Sequence, residues 1–133
     1  MYDISQLTEC VVRIHKIHVP SYVENGTNSN IVLDCVYTLD AKEDWQLVVK
    51  WWWNDDPVPI YQWIPEFGAR TASGRYEHKI NLDYFIETGD ALTKYRAINI
   101  LSPTTDLSGV YRCDVSSMKS QASKESVMIV YGK

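Results

Sequence analysis

Along much of this chain, apolar and polar residues alternate with a period of two, and helical periodicity is hard to find. Short β-branched and aromatic runs recur between clusters of Gly, Pro, Asn, Asp and Ser, an all-β rhythm of about nine candidate strands. The first run, Val11 to Val19, sets Val11, Arg13, His15 and Ile17 against Val12, Ile14, Lys16 and His18, and Pro20 then interrupts it. A proline there suits an edge strand, where a missing N–H is harmless. The second run, Ile31 to Tyr37, places Ile31, Leu33, Cys35 and Tyr37 on one face, so Cys35 points with the apolar set.

After a polar stretch from Asp40 to Asp44, the run Leu47 to Trp53 carries Leu47, Val49, Trp51 and Trp53 on one face and Lys50 and Trp52 on the other. Asn54-Asp55-Asp56-Pro57 has strong turn chemistry, because Asn and Asp bond their own backbone and Pro presets φ. A hairpin return is expected at Val58 to Ile64. Beyond a loop around Gly68 to Gly74, further strands are expected at Tyr76–Phe85, Leu92–Leu101, Val110–Val115 and Glu125–Tyr131.

The 133 residues, 45% of them hydrophobic and 12% aromatic, suffice for one packed core and are too few for two ordinary domains. The domain is expected to span residues 11–131, preceded by an N-terminal extension, residues 1–10. With a net charge of -4 and scattered Lys and Arg, no phosphate-binding patch stands out, and nucleic acid is not an expected partner. No apolar stretch reaches the roughly 18 residues of a membrane span, so membrane insertion of this segment is not expected. The first residues lack the basic-then-apolar profile of a secretory signal, and export must be argued from other features.

One such feature is the segment Asp106-Leu107-Ser108-Gly109-Val110-Tyr111-Arg112-Cys113, which resembles the immunoglobulin superfamily. The resemblance covers most of the chain. It implies an immunoglobulin-like β-sandwich of the V-set type, with two antiparallel sheets joined by a Cys35–Cys113 disulfide, Tyr111 as the tyrosine corner and Trp51 as the tryptophan packed on the bridge. Trp51 is chosen by alternation, with Trp53 the alternative. Gly74-Arg75-Tyr76 resembles the start of a V-set strand D, which implies an Arg75–Asp106 salt bridge, and the long interval between the cysteines leaves room for extra strands C′ and C″. The last strand departs from the pattern: it lacks the Gly-x-Gly bulge of antibody variable domains, which speaks against an antigen-receptor heterodimer.

A disulfide persists only under oxidising conditions, and Asn25-Gly26-Thr27 is an N-glycosylation acceptor on a turn, so both features point to a secreted or cell-surface protein. Cys10 is the odd cysteine, left for an intermolecular disulfide, for a cysteine elsewhere in a longer chain, or as a free thiol. By alternation His15 and His18 face opposite ways, which argues against a metal site, and no Ser–His or Cys–His pairing suggests a nucleophile. Asp55 and Asp56 read as a solvated turn. Neither an enzyme nor a cofactor is expected.

The richest feature is aromatic. Trp52 faces away from Trp51, and Tyr61 and Trp63 follow on the next run, with their facing left open by Pro57, Pro59 and Pro65. Outward Tyr and Trp supply rigid contact area of the kind found in interface hot spots, so Trp52, Tyr61 and Trp63 are the candidate protein-binding face. The expected function is recognition of another protein, with a homodimer also open; the alternative is a structural spacer domain of a longer matrix or muscle protein. The runs Val49-Lys50-Trp51, Ile60 to Pro65 and Ser108 to Ser116 resemble the arthropod beaten-path family of neuronal surface proteins, which implies an immunoglobulin-superfamily partner and a role in axon guidance or synaptic matching. Peptide mapping of natively expressed protein under non-reducing conditions is expected to recover Cys35 joined to Cys113. Free thiols at both positions would remove the argument for an extracellular setting.

Overall fold

The computed structural model describes residues 12–25, 30–39 and 46–132. Its strands are β1 (Val12–His18), β2 (Tyr22–Glu24), β3 (Ile31–Leu39), β4 (Val48–Trp53), β5 (Tyr61–Ile64), β6 (Ala69–Ala72), β7 (Ile98–Ile100), β8 (Gly109–Ser116) and β9 (Gln121–Tyr131). They form a 3-stranded sheet, β1-β3-β7, and a 6-stranded sheet, β2-β9-β8-β4-β5-β6. Cys35 on β3 is bonded to Cys113 on β8, 78 residues away, across the two layers. The protein is an all-β, immunoglobulin-like sandwich. In the chain-entropy picture, closing a loop of that length contributes roughly 4.5 kcal/mol by restricting the unfolded chain.

Where the chain departs from simple alternation, a local cause is visible. After β1 the chain passes through Val19 and Pro20, which has no N–H to continue the ladder, and crosses to the other sheet. There β2 pairs with β9 in parallel, Tyr22 opposite Ile129 and Glu24 opposite Tyr131, so the sheets are not wholly antiparallel as expected. Within β1 the register against β3 shifts between Ile14 and Lys16: Ile14 lies opposite Tyr37 and Ile17 opposite Cys35. This β-bulge corrects the expected facing of the histidines. His15, Lys16 and His18 are all exposed, and His15 Nε2 lies 2.8 Å from Thr38 Oγ1.

The expected strand Tyr76–Phe85 does not form. Gly74, at φ +65, opens a tight 3-10 turn through Tyr76, and the Asp83 N–H bonds the Asn81 side chain in an Asx turn, leaving only an isolated bridge between Ile80 and Ile100. The expected run Leu92–Leu101 shortens to β7, because Asp90 accepts from the Leu92 N–H and the Thr93 N–H bonds the Asp90 carbonyl, coiling the backbone ahead of it. Conversely, Ala69–Ala72, inside the stretch read as a loop, becomes β6. A 3-10 turn at Pro65–Phe67 followed by Gly68 at φ +63 returns the chain alongside β5.

Side chains from the core hold the segment between β6 and β7, which has little ladder of its own. The Tyr37 hydroxyl donates to the Leu92 carbonyl at 2.5 Å, the Tyr61 hydroxyl to Tyr95 at 2.7 Å and the Trp51 indole N–H to Arg96 at 3.0 Å. Arg96 in turn grips Asp34 on β3 with both ends of its guanidinium, at 2.8 and 3.1 Å, largely out of solvent. Trp51 is fully buried in the common core with Leu33, Cys35, Tyr111 and Cys113.

The corner before β8 is built on hydroxyls. Tyr111 donates to the Leu107 carbonyl at 2.5 Å, so the 2.6 Å contact between the Tyr76 and Tyr111 hydroxyls is filled by the Tyr76 proton. On the surface above, Arg75 Nη1 lies 3.2 Å from Asp106 Oδ2, and the Thr104 hydroxyl, then Arg75, help to hold the Asp106 carboxyl below its usual range. At the start of β8, Gly109 (φ +151) leaves the room taken by Asn54. A Cβ there would lie 2.3 Å from Asn54 Oδ1, the atom that accepts the Val110 N–H at 2.8 Å.

Burial raises the Tyr111 phenol from 10.0 to about 12, and burial and the neighbouring Tyr111 raise Tyr76 as well. A raised phenol keeps its proton in the folded state after the unfolded chain has released its own. The stabilisation is therefore complete below pH 10.0 and is lost as pH climbs toward about 12. Denaturant melts at stepped alkaline pH should show this decline, and Tyr76→Phe should flatten it.

Candidate functional site

Alternation along the large sheet separates a packed inner face from an outer one, and the registers fix which residues meet there. On the outer face Lys50 lies opposite Asp114, and Trp52 opposite Arg112, while β8 sets Arg112 against Glu125, Asp114 against Ser123 and Val110 against Val127. The Arg112 guanidinium lies 5.0 Å from the Trp52 ring centre and the Lys50 ammonium 5.8 Å from it. Asp114 accepts an ion pair from Arg112 Nε at 3.3 Å. Trp52 is thus half-buried beneath its own cations, with its indole N–H excluded from water and unpaired among the described residues. A donor in that state costs about 1–3 kcal/mol.

Tyr61 and Trp63 do not share this face, which corrects their place in the candidate binding surface. β5 runs antiparallel to β4 with Tyr61 opposite Trp51 and Trp63 opposite Val49, and opposed residues of a ladder point to the same side. Both therefore turn into the core, each 3% exposed. Trp63 packs edge-on against Tyr95 at 5.7 Å, and Tyr95 also carries the Arg70 guanidinium 3.9 Å from its ring centre. The prolines flanking β5 leave its parity unchanged.

The outer face has a second part that the sequence reading missed. Met128 and Val130 face the core, so Val127, Ile129 and Tyr131 face out, and Tyr22 on β2 joins them beside Ile129. Tyr22 is 74% exposed, Val127 50%, Ile129 39% and Tyr131 45%, and together they make a contiguous apolar corner. The signal in the sequence was weak, since both parities of the last strand are apolar there. Only pairing with β8, whose Tyr111 and Cys113 point inward, decides between them.

No family model and no curated protein matches the chain.

Other candidate residues lie away from this face or partly outside the described residues. The Asn25 N–H donates to the Tyr131 carbonyl at 2.6 Å, at the edge of the apolar corner; Gly26 and Thr27, the rest of its acceptor triplet, lie outside the described residues, as does Cys10. Asp56 serves the turn after β4, its N–H bonded to the Trp53 carbonyl. Among the described residues, no group of 3 or more His, Cys, Asp or Glu side chains is placed to hold a metal ion, and no helix is long and apolar enough to cross a membrane.

The division between inner and outer aromatics has a measurable consequence. Trp63→Ala should destabilise the domain by about 3–5 kcal/mol, as loss of a buried aromatic does, whereas Trp52→Ala should change stability by less than about 1 kcal/mol. Equilibrium denaturation of the two variants checks the ordering.

Proposed function

We propose that this protein is an extracellular recognition module that docks another protein on the outer face of its six-stranded sheet. The observation that carries this reading is the apolar corner of Tyr22, Val127, Ile129 and Tyr131, contiguous and facing solvent on one side of the sheet. Lone exposed apolar residues are ordinary on a surface, but a connected group rimmed by polar side chains is what an interface centre requires. Trp52, with Lys50 and Arg112 over its ring and Asp114 and Glu125 alongside, provides a charged flank that selects among partners more than it adds affinity. The Cys35–Cys113 bridge supports an oxidising, extracellular setting.

The partner in this proposal is an immunoglobulin-superfamily ectodomain. Support comes from the tyrosine corner and the Cys–Trp–Cys order, which fit membership of the V-set, and from the resemblance to the beaten-path family, which favours a heterophilic partner and a role in axon guidance. A spacer domain would have no use for the apolar corner. The chemistry is binding, not catalysis.

The test is to measure wild type, Ile129→Asp and Trp52→Ala against a panel of surface ectodomains and against the protein itself. Loss of a central apolar anchor should weaken the interaction by roughly 30-fold or more, and loss of Trp52 by less. If the oxidised wild type bound none of the panel, or Ile129→Asp bound as well as wild type, the docking reading would fail.

A further inference from the structure

The opposite sheet carries a surface of different chemistry. β1 is an edge strand, and its bulge turns His15 to the same side as Arg13, Lys16 and His18, so that the whole exposed side of the strand is basic. A strict alternation would have sent one histidine into the core. Across the ladder stand Thr38 opposite Arg13, Val36 opposite Lys16 and Asp34 opposite His18. Asp34 is the only acid in that row of partners, and both its oxygens are engaged by Arg96 at 2.8 and 3.1 Å. The side chains of Lys16 and His18 make no hydrogen bond or ion pair among the described residues. Beside His18 lies an open recess of about 360 Å³ lined by Ile17, His18, Val19, Pro20 and Val32.

We infer that the outer side of β1 binds a linear sulfated polysaccharide, with Lys16 and His18 meeting sulfate groups and the recess beside His18 receiving a sugar ring. An extended strand spaces same-side residues roughly 6–7 Å apart, so Lys16, His18 and the other basic side chains of β1 form a row, which suits a linear polyanion better than an isolated anion. The recess adds apolar Ile17, Val19, Pro20 and Val32 against which the less polar face of a ring packs. The choice of a glycan over other polyanions rests on the extracellular reading above. The site itself is separate from the docking face, so either can fail alone.

The protein carries a net charge of -4, so retention on a polyanion would report a local patch and not bulk charge. The experiment is elution from immobilised heparin in a salt gradient, comparing wild type, Lys16→Ala/His18→Ala and, as a control on the other sheet that removes no less positive charge, Lys50→Ala/Arg112→Ala. Wild type and control should stay bound above about 0.15 M salt, and the β1 variant should elute earlier, with affinity roughly tenfold weaker. Passage of wild type straight through at that ionic strength would overturn the inference. So would unchanged retention of the β1 variant, including the case in which it self-associates because Lys16 only guards an open edge. Equal affinity of wild type for phosphatidylserine vesicles or single-stranded DNA, lost in the same variant, would also reject a glycan site.

Discussion

Cys113, Trp51 and Tyr61 lie side by side across β8, β4 and β5, and that row decides how everything else in the large sheet is oriented. Cys113 must point inward to reach Cys35, and its neighbours in the ladder must follow. A slip of β4 by one residue would expose Val49 and Trp51 and bury Lys50 and Trp52, so the register is strongly specified. The charged setting of Trp52 is a consequence of the same row, because whatever lies between two inward residues has to face out.

The same inward side chains also organise the least regular part of the molecule. Between β6 and β7 the backbone makes few ladder bonds, and its carbonyls at Leu92, Tyr95 and Arg96 are met by Tyr37, Tyr61 and Trp51. Core aromatics with a polar tip thus do two jobs: their rings fill the space between the sheets, and their hydroxyl or indole groups satisfy a segment that would otherwise leave buried carbonyls unpaired. The Asp34–Arg96 pair ties the end of that segment to β3, next to the Cys35 end of the disulfide.

How much of this was legible in the sequence depended on whether the signal was local. The facing of Cys35 on β3 and of Trp51 and Trp52 on β4 followed from alternation within each uninterrupted strand, and the Tyr-x-Cys spacing of Tyr111 and Cys113 lies within β8. The facing of Tyr61 and Trp63 was set by their partners on β4, which a run broken by Pro57, Pro59 and Pro65 does not announce. The bulge in β1 inserts one residue without any glycine or proline to mark it, so counting by twos failed at His15. The corner at Tyr22, Val127, Ile129 and Tyr131 was hidden for another reason: a parallel pairing between residues more than a hundred positions apart brings Tyr22 to Ile129.

The fit of Asn54 against Gly109 bears on how sequences of this fold can diverge. Asn54 takes a left-handed conformation that few residues tolerate and fills the volume a side chain at Gly109 would need, while its own amide oxygen completes the first rung of β8. Neither position is free to drift alone: a larger residue at 109 evicts the asparagine, and a different residue at 54 orphans the Val110 N–H. Related chains should keep both or replace both, so the pair behaves as a single heritable unit linking the turn after β4 to the start of β8.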